Sequence, residues 1–312
     1  MRKHPWWPWV KRILGVAFLV VVGVLLFHYA RTVDWGQVKQ SVLELPREVL
    51  LIAFAFAISA HVIYSLMDLV GRHYTGHRLP KLRVMQVSFI SYAFNLNLGS
   101  LVGGIGFRYR LYSKLGLRYG LITRIVTLSM LTNWLGYVLL AGLVFTIAPM
   151  QLPPTWKLDN AELQLVGVGL LAVAVVYFGL CAFSSRRSWT VRGHEIDLPS
   201  IRMAMAQLAI SSAHWLAIAA VVWMLLQGQV EYTTVLQVLL VAAIAGVITH
   251  VPGGLGVIEA VFIALLSHRI PEHQLLGALL AYRALFYLTP LIVGALLYLK
   301  VEVRTRRHAP AA

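Results

Sequence analysis

Acidic side chains are scarce in this sequence, 12 Asp and Glu among 312 residues against 27 Lys and Arg. Charge of either sign is thin too. It makes up 12% of the chain, where a soluble domain carries roughly a quarter. A single cysteine, Cys181, excludes a disulfide framework and a cysteine metal site. No HExxH, Cys/His metal spacing, GxSxG elbow or GxxxxGKS loop occurs, so the sequence implies no metal, no ATP and no catalytic constellation. No cofactor is expected, and the chain reads as something other than an enzyme.

What is present is hydrocarbon. Hydrophobic residues form 59% of the chain and its mean hydropathy is +0.75. Runs such as ILGVAFLVVVGVLLFHYA (13–30) approach the ~20 residues that cross a bilayer core as a helix. This composition specifies an all-α polytopic membrane protein. The formal charge of +15 would suggest nucleic acid in a soluble protein, but cytoplasmic loops collect Lys and Arg. No soluble stretch is long enough for a binding domain, so no nucleic-acid partner is expected. The basic start MRKHPWWPWVKR precedes a run too long for a signal-peptide core and without a small-residue cleavage site, which reads as a retained anchor.

Six segments are expected to span: 13–30, 49–70, 122–148, 162–183, 203–226 and 275–299. Two more, 84–120 and 234–268, are broken by glycine and polar residues. The linkers orient them. Residues 1–12, 71–83, 184–202 and the tail are basic and read as cytoplasmic, whereas 31–48, 150–161 and 227–233 are balanced or nearly neutral and read as external. Both sets fit only if 84–120 enters from the cytoplasm and returns, and 234–274 dips from the opposite face. Two re-entrant helical hairpins, oppositely inserted, are therefore expected beside the six spans.

A shift of about 150 residues lays LVGGIG (101–106) on VPGGLG (251–256), Leu135 and Tyr137 on Leu285 and Tyr287, and helix 49–70 on helix 203–226. Halves of opposed topology, each with a broken element, mark many secondary transporters. The division expected is an anchor and external linker (1–48), a first inverted repeat (49–148), a connecting helix and loops (149–202), a second repeat (203–299) and a basic cytoplasmic tail (300–312).

Non-helical backbone at membrane depth needs protein or water around it, so the two bends would frame a wet site. In GGIGFRYRLYSKLGLRYG (103–120), Gly103, Gly104 and Gly106 free backbone N–H groups ahead of a helix start, and Arg108 and Arg110 supply forked donors that match phosphate. The duller alternative is that these arginines snorkel to headgroups. In THVPGGLGVIEA (249–260), Pro252, Gly253, Gly254 and Gly256 form the second bend. His250 and Glu259 flank it, and Arg283 follows downstream. Ionised side chains at depth are functional hypotheses by default. Glu259 and Arg283 could clamp hairpin to helix, meet a headgroup, or couple a proton together with His250 and Asp68. His61, Tyr64 and Asp68 share one helix face, as do Gln207, Ser211 and His214. Such stripes either glue helices or line a cavity. Asn95, Asn97 and Asn133 belong with them.

These words together resemble the integral-membrane region of lysylphosphatidylglycerol synthases, a flippase-like family, and within it the stand-alone YbhN-like inner-membrane branch. The resemblance rests on SFISYAFNLNLGSLVGGIGFRYRLYSKLGL (88–117), TNWLGYVLLAG (132–142), IAGVITHVPGGLGVIEAVFIALL (244–266) and LLAYRALFYLTPL (279–291), and covers nearly the whole chain. It implies movement of phospholipid headgroups between leaflets of a bacterial inner membrane, with Pro252, Gly253, Gly254, Gly256, Glu259 and Arg283 matching the second-half motif. In the first half this chain has Val102, Phe107 and Asn133 where relatives often carry proline, Glu and Arg, while Arg110 remains. No part of it corresponds to the aminoacyl-transferase domain of full-length synthases, so lysyl transfer is not implied. The expected ligand is an anionic phospholipid or polyprenyl phosphate. The alternatives are an intramembrane enzyme acting on lipid phosphates, and a non-transporting partner of lipid-synthesis enzymes.

Overall fold

A computed structural model describes residues 31, 33–148, 150, 160–185, 188–191 and 194–307. The expected anchor 13–30, most of the linker 150–161 and the end of the tail lie outside the described residues. A short helix, α1 (Trp35–Leu43), opens the described chain, with Asp34 Oδ1 accepting from the backbone N–H groups of Gly36 and Gln37 at 3.0 and 3.2 Å. Helix α2 (Arg47–Thr75) is 29 residues long and stops at Gly76, whose φ of 67° is the left-handed stop that glycine adopts without strain. Then come α3 (Lys81–Leu98), a π-helical turn (Ser100–Gly106), α4 (Phe107–Lys114), α5 (Tyr119–Ile147) and α6 (Asn160–Phe183). Two four-residue strands, β1 (Ser188–Val191) and β2 (His194–Asp197), pair antiparallel in the linker read from sequence as plain loop. The second half holds α7 (Ile201–Leu225), α8 (Tyr232–Thr249), a bend at Pro252–Gly254, α9 (Val257–Leu266), α10 (Glu272–Tyr282), a π turn (Arg283–Leu288) and α11 (Thr289–Arg307).

Apart from that short strand pair, the fold is the expected helical membrane bundle. Six helices are long and apolar enough to cross a bilayer: Arg47–Thr75, Tyr119–Ile147, Ala161–Phe183, Ile201–Leu225, Tyr232–Thr249 and Glu272–Val303. Five coincide with expected spans. The sixth, Tyr232–Thr249, was read as one arm of the second broken segment, yet by itself it reaches crossing length. Helix α6 is mostly exposed, because it lies at the periphery against α5, where Gly142 and Gly167 permit close approach. Its outer face, including Leu165, Val173, Val176 and Phe183, is bare hydrocarbon, as a lipid-facing helix requires.

Side-chain pairs fix the directions. Asp68 meets Ser129, and Gly71 packs on Ile125, so α2 and α5 are antiparallel. Gln207 binds Thr132, and Trp215 lies beside Tyr137, so α5 and α7 are parallel. The helices matched by the internal shift, α2 and α7, therefore run in opposite directions, and they touch where His214 Nδ1 lies 3.0 Å from the Ala60 carbonyl. The polar stripes on both are buried. Tyr64 stacks on Tyr92 at 3.6 Å between ring centres, and the Tyr92 hydroxyl lies 3.1 Å from His214 Nε2.

Both broken segments are helical hairpins. After Gly99 (φ 82°) the chain turns back on α3 so closely that a Cβ on Gly103 would lie 2.2 Å from the Phe94 carbonyl carbon. Phe94 and Phe107 then stack at 4.1 Å, closing the first hairpin, α3 and α4. In the second, α8 and α9, positive φ recurs at His250, Gly253, Gly254 and Gly256. Helix α3 is antiparallel to α2, since Arg108 joins Ser88 to Asp68 while Tyr92 stacks on Tyr64. Helix α8 is antiparallel to α5, since Tyr137 donates to the Leu240 carbonyl and Gln237 to those of Val144 and Ala148. The two hairpins consequently open toward opposite ends of the bundle.

Candidate functional site: the hairpin tips and their arginine clamps

The tips touch. A Cβ on Gly253 would fall 3.0 Å from the Leu96 carbonyl oxygen, and its φ of 65° independently favours glycine. Asn97, near the end of α3, donates through Nδ2 to the Ala93 carbonyl at 2.9 Å and the Tyr287 carbonyl at 3.3 Å, joining the first tip to the π turn after α10.

Each bend is held by an arginine. Arg283 donates to the carbonyls of Gly253 and Gly254 at 3.0 and 2.9 Å, and its Nη2 reaches Glu259 Oε2 at 2.9 Å with Nε on the other carboxylate oxygen. Its guanidinium also lies 5.2 Å from the centre of the Tyr287 ring. The planar fork thus gathers the first carbonyls of a bend that has no helical donors for them. Side-chain exposures of 12% and 13% for Arg283 and Glu259 leave this pair within reach of the surface.

The first clamp is deeper. Arg108 donates through Nη1 to the Gly104 carbonyl at 3.0 Å and through Nη2 and Nε to Asp68 at 3.0 and 3.1 Å. The Asp68 carboxylate also accepts from the Tyr112 hydroxyl at 2.8 Å and from Ser129 at 2.6 Å. Asp68 is fully buried and the Arg108 side chain is 3% exposed, so charge and hydrogen-bonding capacity are both met inside the protein. Arg110, two residues on, points outward. Its side chain is 55% exposed, and it pairs with Glu302 of α11 at 3.2 Å.

Of the residues singled out from sequence, Asn97, Pro252, Gly253, Gly254, Glu259 and Arg283 assemble at the second clamp and tip junction. Gly103, Gly104, Asp68 and Arg108 assemble at the first, with Gly106 and Arg110 on its outer side. His250 sits at the left-handed end of α8, its Nδ1 2.9 Å from the Ile248 carbonyl. Asn133 lies apart, in the α5–α7 contact, where its carbonyl accepts from Ser211 and Trp215. Sequence reasoning did not single out Tyr112, Ser129 or Ser88 around Asp68, or Glu302 opposite Arg110. No local signal marks the neutral hydroxyls of the first group, since the burial that makes Asp68 require several donors appears only in the fold.

Among the clefts of the described structure are one of about 50 Å³ and one of about 100 Å³. One lies at the open end of the first hairpin, and the other lies between α1, α10 and the loop after α7. No group of three or more His, Cys, Asp or Glu positioned to hold a metal occurs among the described residues.

Opposed hairpins meeting tip to tip inside an apolar bundle, with charged clamps on the bends, define a polytopic helical membrane protein with a broken-helix centre. The family follows directly: a model of the lysylphosphatidylglycerol synthase TM region matches residues 12–294, and the chain belongs to that family. It is 47% identical over 307 residues to inner membrane protein YbhN of Escherichia coli K12, covering 98% of this chain and 96% of that one. An uncharacterized protein of Synechocystis is 28% identical over 296 residues, about nine-tenths of each chain. A phosphatidylglycerol lysyltransferase of Staphylococcus haemolyticus is 24% identical over 92% of this chain, which spans 34% of that enzyme.

Proposed function

We propose that the protein translocates a phospholipid with an anionic headgroup across the bacterial inner membrane, with the two hairpins re-entering the bilayer from opposite faces. The observation that carries this is the tip junction: two bends from opposite ends of the bundle, each closed by an arginine on glycine carbonyls. A cation already balanced by a carboxylate can exchange that partner for a phosphate, and the fork of Arg283 suits either. A headgroup phosphate that displaces Glu259 would take over the Arg283 fork, with Asn97 beside the same bend. His250 ends α8 just ahead of the same bend. On the cytoplasmic side of this reading, Arg110 receives the headgroup, and the buried Arg108–Asp68 pair keeps the first hairpin rigid as the second moves. In this reading both termini are cytoplasmic, because Lys and Arg collect in cytoplasmic segments.

The YbhN relative is named an inner membrane protein, which supports the location. The lysyltransferase relatives favour a companion reading: this region serves, without moving lipid itself, as the membrane partner of a lipid-synthesis enzyme. Leaflet exchange separates the two. Reconstituted into vesicles with labelled phosphatidylglycerol, the native protein is expected to exchange label at least about tenfold faster than Glu259→Gln, Arg283→Gln or Arg110→Ala, the loss of one charged contact being about 1.5–3 kcal/mol. Native protein no faster than empty vesicles removes the transport reading.

A further inference from the structure

Near its end, α11 meets the second arm of the first hairpin. Arg110 and Lys114, one turn apart on the same face of α4, both reach the carboxylate of Glu302. Arg110 Nη2 donates to Oε1 at 3.2 Å and Lys114 Nζ donates to Oε2, so each oxygen has its own cation. The side chains of Arg110, Lys114 and Glu302 are 55%, 25% and 19% exposed, which leaves the cluster open to its surroundings. One turn earlier in α11, the Tyr298 ring lies 5.7 Å from the Arg110 guanidinium and packs edge-on against Phe107 and Phe94. We infer that Arg110 and Lys114 form a two-pronged site for the phosphate of an anionic lipid headgroup, and that Glu302 is its resting occupant, displaced when the phosphate arrives. This deepens the transport reading, on which it rests for Arg110 as the headgroup's first contact; it adds Lys114 as second donor and a counter-ion that must leave.

A carboxylate and a phosphodiester each present a pair of anionic oxygens on one central atom, so donors set on the two oxygens of one suit the other. Two cations on one carboxylate keep one positive charge over, and a monoanionic phosphate makes the group neutral. Exposed ion pairs are weak, so Glu302 can be exchanged, unlike the buried Asp68 that holds Arg108. Tyr298 stays against the aromatic closure of the hairpin, so Glu302 can turn away while α11 keeps its place on α4. A lipid fits better than a free anion because Leu296, Leu299 and Val303 form an exposed apolar stripe on the same turns of α11, 62%, 56% and 50% exposed. Acyl chains lie along this outer face while the phosphate meets the cations. The apolar cleft between α3, α4 and the end of α11, edged by Arg83 and Lys114, is too small to admit a chain and has no part in the site.

The test is binding to the purified full chain in detergent, read by native mass spectrometry. The probes are dioctanoyl phosphatidylglycerol, a short-chain lipid, and glycerophosphoglycerol, the same headgroup without chains. E302Q should bind the lipid about fivefold more tightly than wild type, because two exposed ion pairs no longer compete with it. K114Q should bind it about fivefold more weakly, and E302Q/K114Q should fall back to about the wild-type value. Wild type and E302Q should prefer the lipid to its bare headgroup by at least about tenfold, the chains covering apolar surface. E302Q no tighter than wild type overturns Glu302 as the occupant. A gain that survives in full in E302Q/K114Q puts the phosphate elsewhere and overturns the site. Equal binding of the bare headgroup makes it a free-phosphate site and overturns the lipid. If E302Q does not fold, K114Q decides: wild-type affinity overturns the site. Leaflet exchange is read separately, so the two readings fail separately. Binding as expected with no exchange by the native protein removes transport alone, and exchange by the native protein with E302Q binding as wild type removes this inference alone.

Discussion

Asp68 shows how a carboxylate is kept in the middle of an apolar bundle. It has no solvent contact and accepts from Arg108, Tyr112 and Ser129, so each lone-pair direction has a donor. The pair contributes little net energy against a well-packed apolar alternative, but removing one partner strands the other. Asp68→Ala should therefore lower the unfolding stability of the purified protein by about 3–5 kcal/mol, and Asp68→Ala/Arg108→Met should recover part of that loss in thermal melts. Equal stability of the single and double variants would mean that Arg108 finds water when its acid is removed. The pairing was not legible in the sequence. Asp68 read as helix glue or proton carrier and Arg108 as phosphate donor or headgroup anchor, because nothing local says that two residues 40 positions apart share a hydrogen bond. Glu259 and Arg283 were legible as a possible clamp, because both lie in segments otherwise almost free of charge.

At the scale of the element, the hairpins depend on glycine for two different reasons. Gly99 needs its positive φ, whereas Gly103 needs the space, since any side chain there would run into the α3 backbone. Gly103→Ala should cost at least about 1–3 kcal/mol as an overpacked contact. Gly120→Ala, where nothing lies within 4 Å of the added carbon, should be near neutral. Detergent-solubilised yield and melting temperature of the two variants check this, and equal behaviour would show that the first hairpin is looser than the close approach implies. The glycine clusters announced both breaks from sequence. What they could not announce was the length of the arms, since the same apolar composition serves a span and a hairpin arm. Tyr232–Thr249 is long enough to be either.

At the scale of the whole molecule, the arrangement turns on direction. Helices α2 and α7 run oppositely, the hairpins open to opposite ends, and Arg83, Lys114 and the end of α11 meet at the open end of the first. Placed in a membrane, the turn after α4 and the turn after α9 should face opposite compartments. With Cys181 replaced by serine, Gly120→Cys should react with an impermeant maleimide only from the cytoplasmic side and His268→Cys only from outside, as read in oriented vesicles. Labelling of both from one side would leave ordinary crossings in place of re-entrant hairpins.

The sequence by itself determined the membrane class, five of the six crossing-length helices and the two points where helix breaks, because hydropathy and helix-breaking act within a few residues of where they are written. Tertiary structure alone decided that the tips touch, that Arg108 closes on Asp68 while Arg110 turns outward to Glu302, and that α3, α4 and α11 enclose an apolar cleft with a basic rim. Those outcomes depend on which faces of distant helices pack together. Inside hydrocarbon, a polar side chain settles on whatever partner that packing brings within reach.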